Sequence, residues 1–287
     1  MTRIAQPRKT LFPDDLGECI SRDAAAVSHL GWEELFQRRR GRGDFAGLGN
    51  LRHPARRLLR QYKFRGAPVV LARKEWTKDH HLAALQRGPH KSALEQTPFL
   101  RWDFASMVAK GQWVVLPYSV AIRLPGLRLI PPSVKIERDR RPRWLGDYSF
   151  KPINAKTLPI CELLAMQYVQ YLDRLLCEIV YADLKLEPVH MIKADVSDGF
   201  YKIGLRQSDT AKLGLLFPSG AGEEYLVAIP LTLPMGWKNL PPIFCTGTET
   251  VADLENEALR AHAPTLPHKM DNRAEAVWVK PAPSLNK

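Results

Sequence analysis

Two carboxylates, Asp195 and Asp198, stand three positions apart in IKADVSDGFYKIGL (192–205), at the end of an apolar run and directly ahead of Gly199, Phe200 and Tyr201. Hard carboxylate oxygens, completed by water and a substrate's phosphate oxygens, are how Mg²⁺ is normally held, so such a pair in a cation-rich chain can serve a metal. The same residues also suit a plainer use, since an Asp at a strand end commonly caps a helix or closes a turn. Gly199 removes the side chain before Phe200, so that ring either walls a site or packs into the core.

A second island is LTLPMGWKNLPPIF (231–244), where Gly236 between Met235 and Trp237 permits a positive φ or a close backbone approach. Pro241 and Pro242 suit the first turn of a following helix, whose N-terminus can receive phosphate. A third is SVKIERDRRPRWLGDYSF (133–150), where Lys135, Arg138, Arg140, Arg141 and Arg143 cluster beside Trp144 and Tyr148. Guanidinium forks match phosphate oxygens, although a charged hairpin tip can equally be a solvated end. A fourth is the run QRRRGRGDFAGLGNLRHPARRLLR, carrying Arg38, Arg39, Arg40, Arg56, Arg57 and Arg60. It reads as a mobile solvated arm or as a nucleic-acid contact, with Leu51, Leu58, Leu59 and Tyr62 able to form a short basic amphipathic helix.

The elements that must carry these islands follow from periodicity. Leu100, Phe104, Met107 and Val108 recur at helical spacing, and Gly111 after Lys110 is a C-terminal stop. Prolines 117, 125, 131 and 132 cut the next apolar stretch into short strands and extended connections. The third island reads as a hairpin. A helix is expected over CELLAMQYVQYLDRLLCEIVY (161–181), a strand over EPVHMIKADV, a second hairpin turning at 219–222, and a helix from about Pro242 carrying Phe244, Val251, Leu254 and Leu259. Helices and antiparallel strands mixed in this order predict an α+β fold. The divisions expected are a basic, poorly ordered N-terminal arm with short helices over 1–98, a region over 99–160, and another over 161–287.

At 287 residues the chain can bury one large core or two modest ones, and 45% hydrophobic residues argue against wholesale disorder. Lys plus Arg number 42 against 30 Asp plus Glu, an excess of 12 cations that favours a polyanionic partner. Cys19, Cys161, Cys177 and Cys245 are far apart and read as reduced thiols with no zinc spacing. The start MTRIAQPRKTLFPDD lacks the apolar segment of a secretory signal, and no window approaches the ~18 apolar residues of a membrane span. A soluble intracellular chain is expected, cytoplasmic or nuclear and without a membrane partner; the Arg-containing start leaves import into an organelle open.

Taken in order, RPRWLGDYSFKPIN, KADVSDGFYKI and LPMGWKNLPPIF resemble the fingers motif and first two palm motifs of a retrotransposon or retroviral reverse transcriptase. The resemblance covers residues 99 to about 260. It implies a partial right-hand polymerase fold, with fingers over 99–160 and the first half of the palm over 161–287. It further implies an RNA-directed DNA polymerase that takes an RNA or DNA template-primer and deoxynucleotides.

Under that resemblance Asp195 is the catalytic acid and ligand of both Mg²⁺ (or Mn²⁺) ions, and Asp198 supports the junction after the strand. Phe200 is the steric gate that excludes a ribose 2′-OH, and Arg143 grips the triphosphate with Lys135 or Arg138 as a second clamp. Met235 and Gly236 lie beside the nucleotide, Met235 departing from the commoner Gln or Phe. The family's third palm motif, an aromatic residue followed shortly by Asp-Asp, has no counterpart beyond residue 260, where Asp271 stands alone. The expectation is a fragment of the polymerase with little or no activity. Two alternatives remain: a non-catalytic basic nucleic-acid-binding protein derived from a mobile element, and an unrelated Mg²⁺-dependent phosphoesterase built on Asp195 and Asp198.

Overall fold

The segment LVAIP is apolar at every position, the pattern of a strand buried on both faces, and it becomes the centre of a sheet. In the computed structural model, which describes residues 14–40, 48, 51–72, 75–138, 140–151, 153–159, 176–177, 179–183, 185, 196–220 and 222–261, the order is β1 (Trp113–Pro117), β5 (Leu226–Pro230), β4 (Leu215–Phe217), all antiparallel. Val115 and Leu215 both stand opposite Ala228.

Alternation then sorts the side chains into two cores. Trp113, Val115, Leu215, Phe217, Leu226 and Ala228 face one core, with Leu16 and Ile20 of α1 (Asp14–Leu30), Tyr62 of α3 (Arg56–Arg65), Leu100 to Val108 of α6 (Thr97–Ala109) and Ile243 of α9 (Leu240–Arg260). Val114, Leu116, Leu216, Val227 and Ile229 face the other, covered by Leu35 and Phe36 of α2 (Trp32–Arg40) and Ala84 and Leu85 of α4 (Lys78–Arg87). Short helices α5 (Lys91–Glu95), α7 (Tyr118–Ala121) and α8 (Ile153–Lys156) fill the connections. The described part is therefore α+β, as the order of helix and strand patterns predicts.

A separate two-stranded hairpin, β2 (Pro132–Glu137) with β3 (Arg140–Gly146), carries the basic tip. Trp144 anchors it: its ring lies 5.2 Å from Phe104 and 5.2 Å, edge-on, from Trp113, while Phe104 also meets Phe217 at 4.8 Å. Helix α6 supplies Phe104, so one aromatic cluster ties helix, sheet and hairpin together.

Both expected hairpins form, as do the helix ending before Gly111 and the helix containing Pro242. The poorly ordered arm does not hold for residues 14–40 and 51–72, which are folded and share the cores above. Pro13, Gly17 and the acids suggest punctuation there, but Leu16 and Ile20 sit one helical turn apart and Ala24, Ala25 and Ala26 are strong helix formers. The short amphipathic helix expected around Leu58 and Tyr62 is α3. Val251 of α9, expected on its apolar stripe, is instead 59% exposed. The strand over 187–196 and most of the helix over 161–181 lie outside the described residues. Among the described residues no helix is long and apolar enough to cross a membrane.

Phe104→Ala removes the shared ring of the aromatic cluster, at a cost of about 3–5 kcal/mol. Calorimetry is expected to show the melting temperature falling by roughly 10 °C with far-ultraviolet circular dichroism preserved at 25 °C. A fall of under ~2 °C would show that the cluster does not hold the hairpin to the sheet.

Candidate functional site

In the hairpin Lys135 stands opposite Arg143, so their side chains leave the same face, and the register slips between Lys135 and Glu137. Glu137 lies between the two cations, 3.7 Å from Arg143 Nη2 and 4.0 Å from Lys135 Nζ. Trp144 points into the core while Arg143 stays outside, the strand alternation that the sequence pattern requires. Arg141 pairs with buried Asp103 and lies over the Trp102 ring at 4.9 Å, which fixes it against α6. Arg138 is exposed at the turn.

Asp198 begins the 3₁₀ turn Gly199–Lys202 with a left-handed backbone, φ +54°. It makes no side-chain cap. Its main-chain carbonyl accepts the Tyr201 N–H at 2.9 Å, and its carboxylate accepts Lys110 Nζ at 2.9 Å. Lys110 first, and the Gln112 side chain with it, hold the Asp198 pKa below its ordinary value. The turn can lie close to α9 because residue 199 is glycine: a Cβ there would sit 2.8 Å from Phe244 Cζ. Phe200 in turn packs edge-on against Phe244, with centroids 5.0 Å apart. Tyr201, half-buried like Phe200, is the turn aromatic that lines a cavity. Burial, with Asp198 beside it, raises its pKa to about 12, so at neutral pH its hydroxyl is a hydrogen-bond donor.

The second island is clamped by the third and by the segment that follows it. Gly236 takes φ +94°, and a Cβ would lie 2.9 Å from the Gly146 carbonyl oxygen, so both reasons for a glycine apply. Asn154 spans the bend, its Nδ2 donating to the Gly236 carbonyl at 3.0 Å and its Oδ1 accepting the Lys238 N–H at 2.9 Å. Trp237, fully buried, donates from Nε1 to Thr157 Oγ1 at 3.2 Å, and Asn239 Nδ2 donates to the Leu158 carbonyl at 2.8 Å. These bonds place Met235 facing the hairpin.

The result is a cavity of about 340 Å³ between α6, β3, the 3₁₀ turn and Met235. Arg143, Asp198 and Met235, each from a different island, line it together with Tyr201, Lys110 and Gln112. Phe200, Gly236, Lys135 and Arg138 are not part of its wall, and Asp195 lies outside the described residues. Lys110, Gln112 and Tyr201 escaped the sequence reading. Lys110 and Gln112 flank a helix stop and Tyr201 looks like the second ring of an aromatic pair, so no local pattern marks them.

The N-terminal arginines have separate fates. Arg39 is bound to buried Asp23, joining α2 to α1, and Arg38 pairs with Glu34 on the surface at 2.8 Å. Arg57 and Arg60 are exposed, Arg56 is half-buried, and Arg40 turns inward toward Gly204.

Both described carboxylates of the cavity, Asp198 and Asp103, are neutralised by cations. Among the described residues no cluster of His, Cys, Asp or Glu is composed to hold a metal ion. The Mg²⁺ (or Mn²⁺) expectation therefore rests on Asp195 alone. No known family model matches the chain, and no curated protein matches it significantly.

Because its pKa is depressed, the Asp198–Lys110 contact is fully present above the ordinary carboxylate pKa of 3.8 and is lost as pH falls below it. Lys110→Met should move the Asp198 midpoint upward in a carbon-13 NMR titration. An unmoved midpoint would show that the ion pair is not formed in solution.

Proposed function

We propose that this chain contains the fingers and first palm segments of a reverse-transcriptase-like nucleotidyltransferase, and that the cavity beside Arg143 takes the triphosphate of a deoxynucleotide. The observation carrying this reading is that Arg143, Asp198 and Met235, drawn from three motifs separated by up to 92 positions in the sequence, meet around one cavity. Nothing in the local sequence of one motif requires it to meet the others, and their meeting at one cavity supports a shared ligand.

In this reading Arg143 binds the phosphates as a charge-assisted fork, with Glu137 holding it and Lys135 in place until the anion arrives. Tyr201 donates a hydrogen bond from the wall. Asp195 is the acid that would hold Mg²⁺, which supplies charge neutralisation of the phosphates when bound. Phe200 acts on sugar choice from behind the wall through its contact with Phe244 and the position it gives Tyr201. In-line transfer with two metals calls for a further carboxylate, and residues 261–287 hold no Asp-Asp pair. Residues 1–287 by themselves are therefore expected to bind triphosphate with negligible Mg²⁺-dependent incorporation on a primed RNA template.

Titration with a fluorescent deoxynucleoside triphosphate tests the site directly. Arg143→Ala should weaken binding about tenfold or more, since a charged hydrogen bond is lost, and Glu137→Gln should strengthen it. Equal affinity in wild type and Arg143→Ala would remove the cavity as the nucleotide site. Robust incorporation by the wild-type chain would overturn the expectation of inactivity.

A further inference from the structure

A second, larger cavity of about 780 Å³ opens beside the first, a volume within the ~300–1,000 Å³ of small-molecule sites. Helices α2 and α3, Ile203 and Gly204 after the 3₁₀ turn, and Gly247 of α9 contribute to its wall. Part of that wall is apolar, from Leu59, Tyr62 and Ile203. Several of its polar groups already serve the fold: Asp198 takes Lys110, the Thr232 hydroxyl donates to the Gln112 carbonyl at 3.3 Å, and the Gly204 carbonyl accepts the Ala67 N–H at 2.8 Å. Phe64 is engaged by Arg60, whose guanidinium carbon lies 5.8 Å from its ring centroid.

Arg40 differs from the other cations of this wall, since Lys110 is paired, Lys63 has an interaction of its own and Lys202 is exposed. Its Nη2 donates to the Lys63 carbonyl at 3.3 Å, and its guanidinium carbon lies 5.8 Å from the Phe36 ring centroid. It comes so near Gly204 that a Cβ there would sit 2.6 Å away. Burial lowers its pKa, and no described carboxylate offsets that burial. A partly desolvated cation is costly for folding alone and is relieved by an anion, and a guanidinium fork matches the two oxygens of a carboxylate.

Gly247 is an independent sign. It stands in the interior of α9, where glycine is a poorer helix former than alanine. A Cβ at this position would meet nothing within 4 Å, so packing does not call for glycine. What the missing side chain preserves is open volume in the cavity that Gly247 lines.

We propose that this second cavity binds a small amphipathic organic anion of the medium-chain carboxylate kind, its head on Arg40 and its apolar body against Leu59, Tyr62 and Ile203. A partly buried guanidinium beside an apolar wall suits one charged head on an apolar body, whereas a bare polyanion would leave that wall in water. The proposal stands on this cavity alone and does not depend on the nucleotide reading.

The test is isothermal titration calorimetry of the full chain with decanoate, below the concentration at which it forms micelles. Decanoate should bind at a single site, and octanoate and hexanoate should lose roughly fourfold in affinity per CH₂ removed. Octanol should bind about tenfold or more weakly than octanoate, for want of the charged contact. Acetate and inorganic pyrophosphate, which lack the apolar body, should fail to displace decanoate. Gly247→Leu fills the cavity and should abolish binding with the melting temperature kept or raised, leucine being the better helix former. Arg40→Met should bring octanoate down to the affinity of octanol; Arg40 also packs α2, so Gly247→Leu carries the test if that variant unfolds. Arg57→Gln, outside the wall, should leave affinity unchanged. Absence of decanoate binding, displacement by pyrophosphate at equal concentration, affinity independent of chain length, or affinity unchanged in Gly247→Leu would each overturn the proposal.

Discussion

The candidate site depends on the contact of Trp144 with Phe104 and Trp113. The hairpin bearing Arg143 belongs to a separate two-stranded sheet, so no continuous ladder fixes it to the three-stranded one. What locates it is the aromatic cluster, with edge-on rings that tolerate little rotation, helped by the isolated bridge between Ile130 and Leu215 just before β2. Arg143 lies one residue from Trp144 in sequence, so the burial of one ring sets where the neighbouring guanidinium can reach.

A second constraint acts from the other side. The bend at Gly236 would be a loose loop if its carbonyl and amide groups faced water, and Asn154 instead bonds both sides of it. Because Asn154 and Thr157 follow the hairpin directly in sequence, the segment that positions Arg143 also positions Met235. The first cavity is therefore bounded by the hairpin residues 140–144 folded against residues 103–112, the turn carrying Asp198 and Tyr201, and Met235. That packing explains why glycine is needed at 236 and 199: each lets backbone or ring approach at a distance where a Cβ would collide.

The N-terminal helices change the character of the molecule. As a solvated arm the Arg-rich segments would contribute only a diffuse positive field. Folded as α2 and α3 they separate their cations into a buried structural pair, a surface pair and an inward-facing wall.

Local pattern by itself determined the α+β class, the two hairpins, the helix before Gly111, the bend at Gly236 and the residue types suited to phosphate, because periodicity, proline and glycine act over a few residues. It also singled out Arg143, Asp198 and Met235. Tertiary structure alone decided that those three share a cavity, that Lys110 takes the Asp198 carboxylate, that Tyr201 and not Phe200 lines the cavity, and that Arg38, Arg39 and Arg40 differ in role. Several of those outcomes turn on contacts between residues far apart in the sequence, such as Lys110 with Asp198 or Arg40 with Gly204, whereas Arg38 finds Glu34 within its own helix. A side chain's neighbours across such distances are set by how whole elements pack, and no short stretch of sequence records that packing.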